Sequence, residues 1–97
     1  MKQYSWDEQK NEKLIQERGV SFEDIVRAIA EGYTLDDTPH PRADQYPNQF
    51  VYVIQLADYV YWVPYEETGG KIRLITIIPS RKTRRKYPAR GEDQNEI

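Results

Sequence analysis

The chain is 97 residues long, with 31% charged and 38% hydrophobic residues, no cysteine and a formal net charge of −2. That length bounds it to one globular domain with a thin core, so one sheet with helices on one face is about the limit. No run nears the roughly 20 apolar residues of a membrane-spanning helix, residues 1–7 lack the apolar stretch of a signal peptide, and the lack of cysteine favours a reducing, cytoplasmic setting.

The net charge hides a sharp division. Residues 1–70 hold six Lys/Arg against thirteen Asp/Glu, a balance of −7. Residues 71–91 hold eight Lys/Arg and no acid, and the last six residues hold three acids and no base. Such asymmetry bears on partners rather than on fold: the basic block seeks phosphate, and the acidic remainder repels non-specific DNA.

In chain order, Tyr4-Ser5-Trp6 reads as a short strand, and Asp7 as the N-cap of a helix over residues 8–18 that stops at Gly19. Only Leu14 and Ile15 are apolar within it, so it should lie on the surface, pinned by that pair and by Trp6. Ser21 caps a second helix, with Asp24 in the place of the capping-box acid. Phe22, Ile25, Val26, Ile29 and Ala30 fall on one face of it, and Gly32 ends it. Residues 33–35 read as a short strand, and residues 36–49, with three prolines and Asp36-Asp37, as a long loop.

Three strands follow. Residues 50–56 and 59–65 flank Ala57-Asp58, a connection of hairpin length. Residues 66–70 close a second hairpin, with Gly69-Gly70 supplying positive-φ positions, and residues 71–78 form the third strand. Pro64 requires an edge or a bulge, and Pro79 ends the third strand. Ser80 can cap a final basic turn or short helix over residues 81–87, and the polar residues 88–97 read as a disordered tail. The expectation is a single α+β domain over residues 1–87, with two N-terminal helices packed on one face of a small antiparallel sheet.

The strongest local feature is Arg81-Lys82-Thr83-Arg84-Arg85-Lys86-Tyr87, beyond a strand that carries Lys71 and Arg73. Five cations in six residues repel one another unless an anion neutralises them, and the guanidinium fork matches phosphate oxygens. Tyr87 next to those cations can stack on an unpaired base. A solvated basic tail or a docking strip for an acidic protein uses the same residues. Arg, Lys and Tyr also suffice for RNA cleavage without metal. The ribose 2′-OH is the nucleophile, and the protein moves protons and stabilises the charge on phosphorus.

His40, the one histidine, lies between two prolines. It is a candidate acid or base, a candidate metal ligand with Asp36, Asp37 or Asp44, or a surface residue that shapes a turn. Tyr52, Tyr59, Tyr61 and Tyr65 alternate with valines along the hairpin, which fits either a protein-facing surface or cross-strand packing.

Trp6-Asp7, Lys10, Gly19-Val20-Ser21-Phe22-Glu23, then Ile72-Arg73-x-Ile75 and the terminal Arg81-Lys82…Tyr87 resemble the BrnT family of bacterial toxins. The resemblance covers most of residues 4–87. It departs at Arg18, where the family usually has His, at Leu14, where it often has Asn, and at Arg81, which is displaced along the chain.

The resemblance implies a RelE-like fold and a ribonuclease that needs no cofactor or metal and halts translation. It also implies a ribbon-helix-helix type antitoxin that embraces the toxin, with operator DNA contacted only through that complex. Carried over by position, it makes Arg73, Arg81 and Tyr87 the catalytic candidates. Lys71, Lys82, Arg84, Arg85 and Lys86 then hold RNA, and His40 is a candidate acid or base. The alternative is a non-catalytic RNA- or protein-binding module using the same basic segment.

Overall fold

A computed structural model of the chain describes residues 2–42 and 44–80. The expectations placed on residues 81–97, including the basic turn and the polar tail, lie outside the described residues. The described part is an α+β domain. Its elements run β1 (Gln3–Ser5), α1 (Glu8–Arg18), α2 (Phe22–Ala30), β2 (Thr34–Pro39), β3 (Gln49–Leu56), β4 (Tyr59–Thr68), β5 (Lys71–Leu74) and β6 (Ile78–Pro79).

Both helix starts follow from their caps. The Asp7 carboxylate accepts the Gln9 N–H. At α2, Ser21 and Asp24 satisfy each other's backbone N–H at 3.0 Å, a complete capping box with Asp in the acid's place. Gly19 ends α1 at φ 70°, a left-handed conformation that costs glycine little.

Helix α1 is held differently from the expectation. Leu14 is buried, but Ile15 is 47% exposed. The second anchor is polar: buried Asn11 accepts the Phe22 N–H at 2.7 Å and donates to Glu23 at 2.8 Å. One amide side chain thus ties the middle of α1 to the first turn of α2, occupying a backbone donor that α2 cannot use itself. Trp6 stacks on Phe22 with ring centroids 5.6 Å apart.

The sheet order is β1-β5-β4-β3-β2, with β6 also pairing β4. All pairings are antiparallel except β1 with β5, which run parallel. The N-terminal strand therefore closes one edge beside the late strand that bears Lys71 and Arg73. Strand β2 runs to Pro39 and so takes up residues 36–39 of the expected loop. Its Asp36, Asp37 and Pro39 fit an edge strand, where charge and proline discourage further pairing.

The stretch from Lys71 to Ser80 is one strand broken by a bulge. Leu74 pairs with Tyr65, but Ile78 pairs with Trp62, a register slip of one residue. The extra residue lets Leu74 and Ile77, three apart, both enter the core. Pro64 faces this bulge: its carbonyl accepts the Ile75 N–H at 2.9 Å, and its own missing N–H deprives no regular ladder partner there.

Core side chains lie on the helix-facing side of the sheet. Tyr52, Ile54, Val63, Tyr65, Ile72, Leu74 and Ile77 pack with Leu14, Val20, Phe22, Ile25 and Ala28. Each large apolar side chain so buried contributes about 1.5–3 kcal/mol. Tyr52 and Tyr65 are therefore packing residues, which decides the earlier alternative for them, while Tyr59 at the strand start is 45% exposed.

Among the described residues no helix is long and apolar enough to cross a membrane.

Candidate nucleic-acid interface

Strand alternation sorts the sheet residues onto two faces. Tyr4, Ile72, Leu74, Tyr65 and Tyr52 take the helix side. Ser5, Lys71, Arg73, Glu66, Gln49, Val51, Val53, Trp62 and Ile78 take the other. The two strand-borne cations thus stand on the face turned away from the helices, and both are exposed.

Register lines up one row across that face. His40 donates its N–H to the Gln49 carbonyl, extending the β2–β3 ladder by one position. Gln49 is opposite Glu66, Glu66 is opposite Arg73, and Arg73 is opposite Ser5. Two residues further, Lys71 pairs with Thr68 and Gln3. Residues from four strands and one loop thereby meet at one end of the sheet.

Side-chain bonds refine the row. Gln49 Nε2 donates to Glu66 Oε2 at 3.3 Å. His40 Nδ1 accepts the Arg42 N–H at 2.9 Å, so in the neutral ring the proton sits on Nε2. The His40 ring also lies 4.9 Å from that of Tyr46. Among the described residues no ion pair or hydrogen bond engages the Arg73 guanidinium.

The other end of this face is apolar. Trp62 and Ile78 are paired neighbours, 37% and 42% exposed, beside buried Val53 and Val60. Ser80, the residue before the basic run, donates its N–H to the Val60 carbonyl. Arg73 opposite Glu66 and Ser80 beside Val60 are six residues of β4 apart, about 20 Å at the usual strand rise.

The sequence candidates therefore divide. Lys71, Arg73 and His40 are brought to one end of one face. Arg81, Lys82, Arg84, Arg85, Lys86 and Tyr87 lie outside the described residues. Asp36 and Asp37 are consecutive strand residues, so they take opposite faces, and Asp37 accepts the Tyr65 hydroxyl at 2.5 Å. Among the described residues no group of three or more His, Asp or Glu is arranged to hold a metal ion.

Sequence reasoning passed over Glu66 and Gln49. The second hairpin was expected to turn at residues 66–70, which left Glu66 outside the strands. In the structure β4 runs to Thr68, which moves Glu66 into the ladder beside Arg73.

A separate polar cluster sits on the helix side. The Tyr52 and Tyr65 rings stack at 4.1 Å, with Phe50 against Tyr65 at 5.6 Å. Burial, and then hydrogen bonding to Tyr4, pushes the Tyr52 hydroxyl well above the usual tyrosine range. Burial, and then the bond to Asp37, does the same for Tyr65. Both therefore stay neutral hydrogen-bonding groups and act as parts of the core.

Comparison with known protein families, curated proteins and solved structures finds no match to this chain.

Proposed function

We propose that this chain is a metal-independent endoribonuclease, the toxin of a type II toxin–antitoxin pair related to the BrnT family, acting on RNA in the cytoplasm to inhibit translation. The observation that carries the reading is the placement of Arg73 and Lys71, both exposed and two residues apart on the face turned away from α1 and α2, with Arg73 in one row with Glu66 and His40. An arginine held by a strand between two neighbours is well placed to stabilise charge on a phosphate. Lys71 contributes a point charge for an adjacent phosphate, and Arg81, Lys82, Arg84, Arg85 and Lys86 supply further cations for RNA phosphates. Trp62 offers an aromatic surface for an unpaired base, with Tyr87 as a second stacking group.

In this reading the basic segment has a second occupant. A ribbon-helix-helix type antitoxin covers it and neutralises the toxin, and operator DNA is bound only through that complex. The exposed apolar pair Trp62 and Ile78 also supports a different reading, a binding module that grips RNA or protein without cleaving it.

Induction in a bacterium separates the two. A toxin arrests growth on induction, and Arg73→Ala and Arg81→Ala relieve the arrest. Harmless induction of a well-folded chain that still binds RNA contradicts the toxin reading and leaves the binding module.

A further inference from the structure

We infer that Glu66 is the general base of this site, with Gln49 as the residue that positions it. The inference rests on the ribonuclease reading above and goes beyond it by naming the proton acceptor. Cleavage by an internal nucleophile needs three things at the scissile phosphate: a base for the 2′-OH, a cation for the charge that develops on phosphorus, and a substrate with a ribose. Arg73 supplies the cation. The base must lie within a side-chain length of it and carry a carboxylate or imidazole that is not consumed by another partner.

Glu66 meets these conditions on the described residues. It is directly opposite Arg73 in the antiparallel ladder, which sets their Cα atoms about 5 Å apart and their side chains on one face. Its carboxylate is half-buried and is held at one oxygen by Gln49 Nε2 at 3.3 Å. Among the described residues no hydrogen bond engages the other oxygen, which can accept a proton. No ion pair within 4 Å joins Glu66 to Arg73 among the described residues, so both groups can turn to a substrate.

The other acids are placed elsewhere. Glu67 is on the opposite face and pairs with Lys2 at 3.9 Å, and Asp37 is taken by Tyr65. His40 lies two strands from Glu66 and three from Arg73, roughly 10 and 14 Å at the usual strand spacing. Its Nδ1 lone pair is occupied by the Arg42 N–H. In this tautomer Nε2–H donates a hydrogen bond to substrate and does not accept a proton.

The step balances without a co-substrate. The 2′-OH gives its proton to the Glu66 carboxylate as O2′ attacks phosphorus. The P–O5′ bond breaks, and O5′ takes a proton from solvent. Glu66 then returns its proton to solvent. The net change is one proton moved from O2′ to O5′ and a 2′,3′-cyclic phosphate end, with no redox change.

The test uses the purified full chain and two probes: an oligoribonucleotide in EDTA, and the same sequence fully 2′-O-methylated, which binds but has no nucleophile. Glu66→Gln should lower the cleavage rate by about 10²–10⁴-fold, while affinity for the methylated probe and the thermal midpoint stay close to wild type. Glu66→Asp, which keeps the carboxylate on a shorter arm, should recover part of the rate. Gln49→Leu should lower kcat with little change in KM.

If Glu66→Gln cleaves at the wild-type rate, or if His40→Ala rather than Glu66→Gln abolishes cleavage, Glu66 is not the base and the ribonuclease reading survives. If the wild-type chain binds the probes and cleaves neither, both readings fall.

Discussion

Arg73 faces Glu66 across the β5–β4 ladder and Ser5 across the parallel β1–β5 ladder, yet among the described residues its guanidinium makes no ion pair. An arginine fixed at the backbone on both sides, with no ion pair at its tip among the described residues, is positioned without contributing much to folding. Arg73→Ala should therefore leave the unfolding free energy within about 0.5 kcal/mol of wild type. RNA cleavage should fall by about 10²–10³-fold, the usual cost of removing one donor to a developing charge. Chemical denaturation and a cleavage assay on one preparation read both.

Lys71 stands two residues from Arg73 on the same face and is exposed. Its role in the proposed interface is a single phosphate contact. Lys71→Ala should weaken RNA binding evenly across sequences and reduce the magnitude of the slope of log affinity against log salt by about 1. A salt titration of binding to a 2′-O-methylated oligonucleotide measures this. An unchanged slope would place the RNA elsewhere.

Asn11 is the polar pin between the helices, with bonds of 2.7 and 2.8 Å to the Phe22 N–H and the Glu23 carboxylate. Asn11→Ala leaves a helix-terminal donor buried and unmatched. It should cost about 1–3 kcal/mol in urea unfolding. Ile15→Ala, one turn away on the exposed side, should cost much less.

Much of this architecture was legible in the residues. Capping at Asp7, Ser21 and Asp24, the stop at Gly19 and the glycine pair at the second turn all follow from local chemistry, and the structure forms each of them. The edge-or-bulge requirement of Pro64 was legible too, and a bulge meets it. Pairing between distant segments was not. Nothing in Gln3–Ser5 says that it lies parallel to Lys71–Leu74, and nothing in His40 or Glu66 says that they share a row with Arg73. That row depends on β2 reaching Pro39 and β4 reaching Thr68, and sequence periodicity places strand ends poorly. Asn11 was missed for a similar reason: a polar residue on a polar helix gives no sign of burial until the second helix is set against it.

Ala57 adopts φ 56° in the hairpin between β3 and β4, a conformation that costs a Cβ-bearing residue about 1–2 kcal/mol. Its carbonyl accepts the Gln55 amide at 2.7 Å, so the turn is held in place despite that cost. Ala57→Gly removes the Cβ clash while adding some freedom to the unfolded chain. The net expectation is a gain of about 0.5–1 kcal/mol and a higher thermal midpoint. A lower midpoint would mean that the turn is not strained.

The buried tyrosines set the alkaline limit of stability. Tyr52 and Tyr65 have hydroxyls pushed above the ordinary value of 10.0 in the folded chain, mainly by burial. Above that value the unfolded chain loses protons that the folded chain keeps, so stability must fall as pH rises. The contribution is complete below about pH 10 and is lost progressively above it. Urea midpoints at pH 8, 10 and 11 should fall across the last interval, and the double substitution Tyr52→Phe with Tyr65→Phe should flatten that fall.

Metal-free RNA cleavage at the Arg73 row has a simple chemical signature in its product ends. The purified full chain is incubated with a single-stranded RNA pool in EDTA, and the product ends are identified. Fragments with 2′,3′-cyclic phosphate ends are expected from the wild-type chain, and about a hundredfold fewer from Arg73→Ala. Intact RNA with the wild-type chain, or equal cleavage by Arg73→Ala, would contradict cleavage at this row.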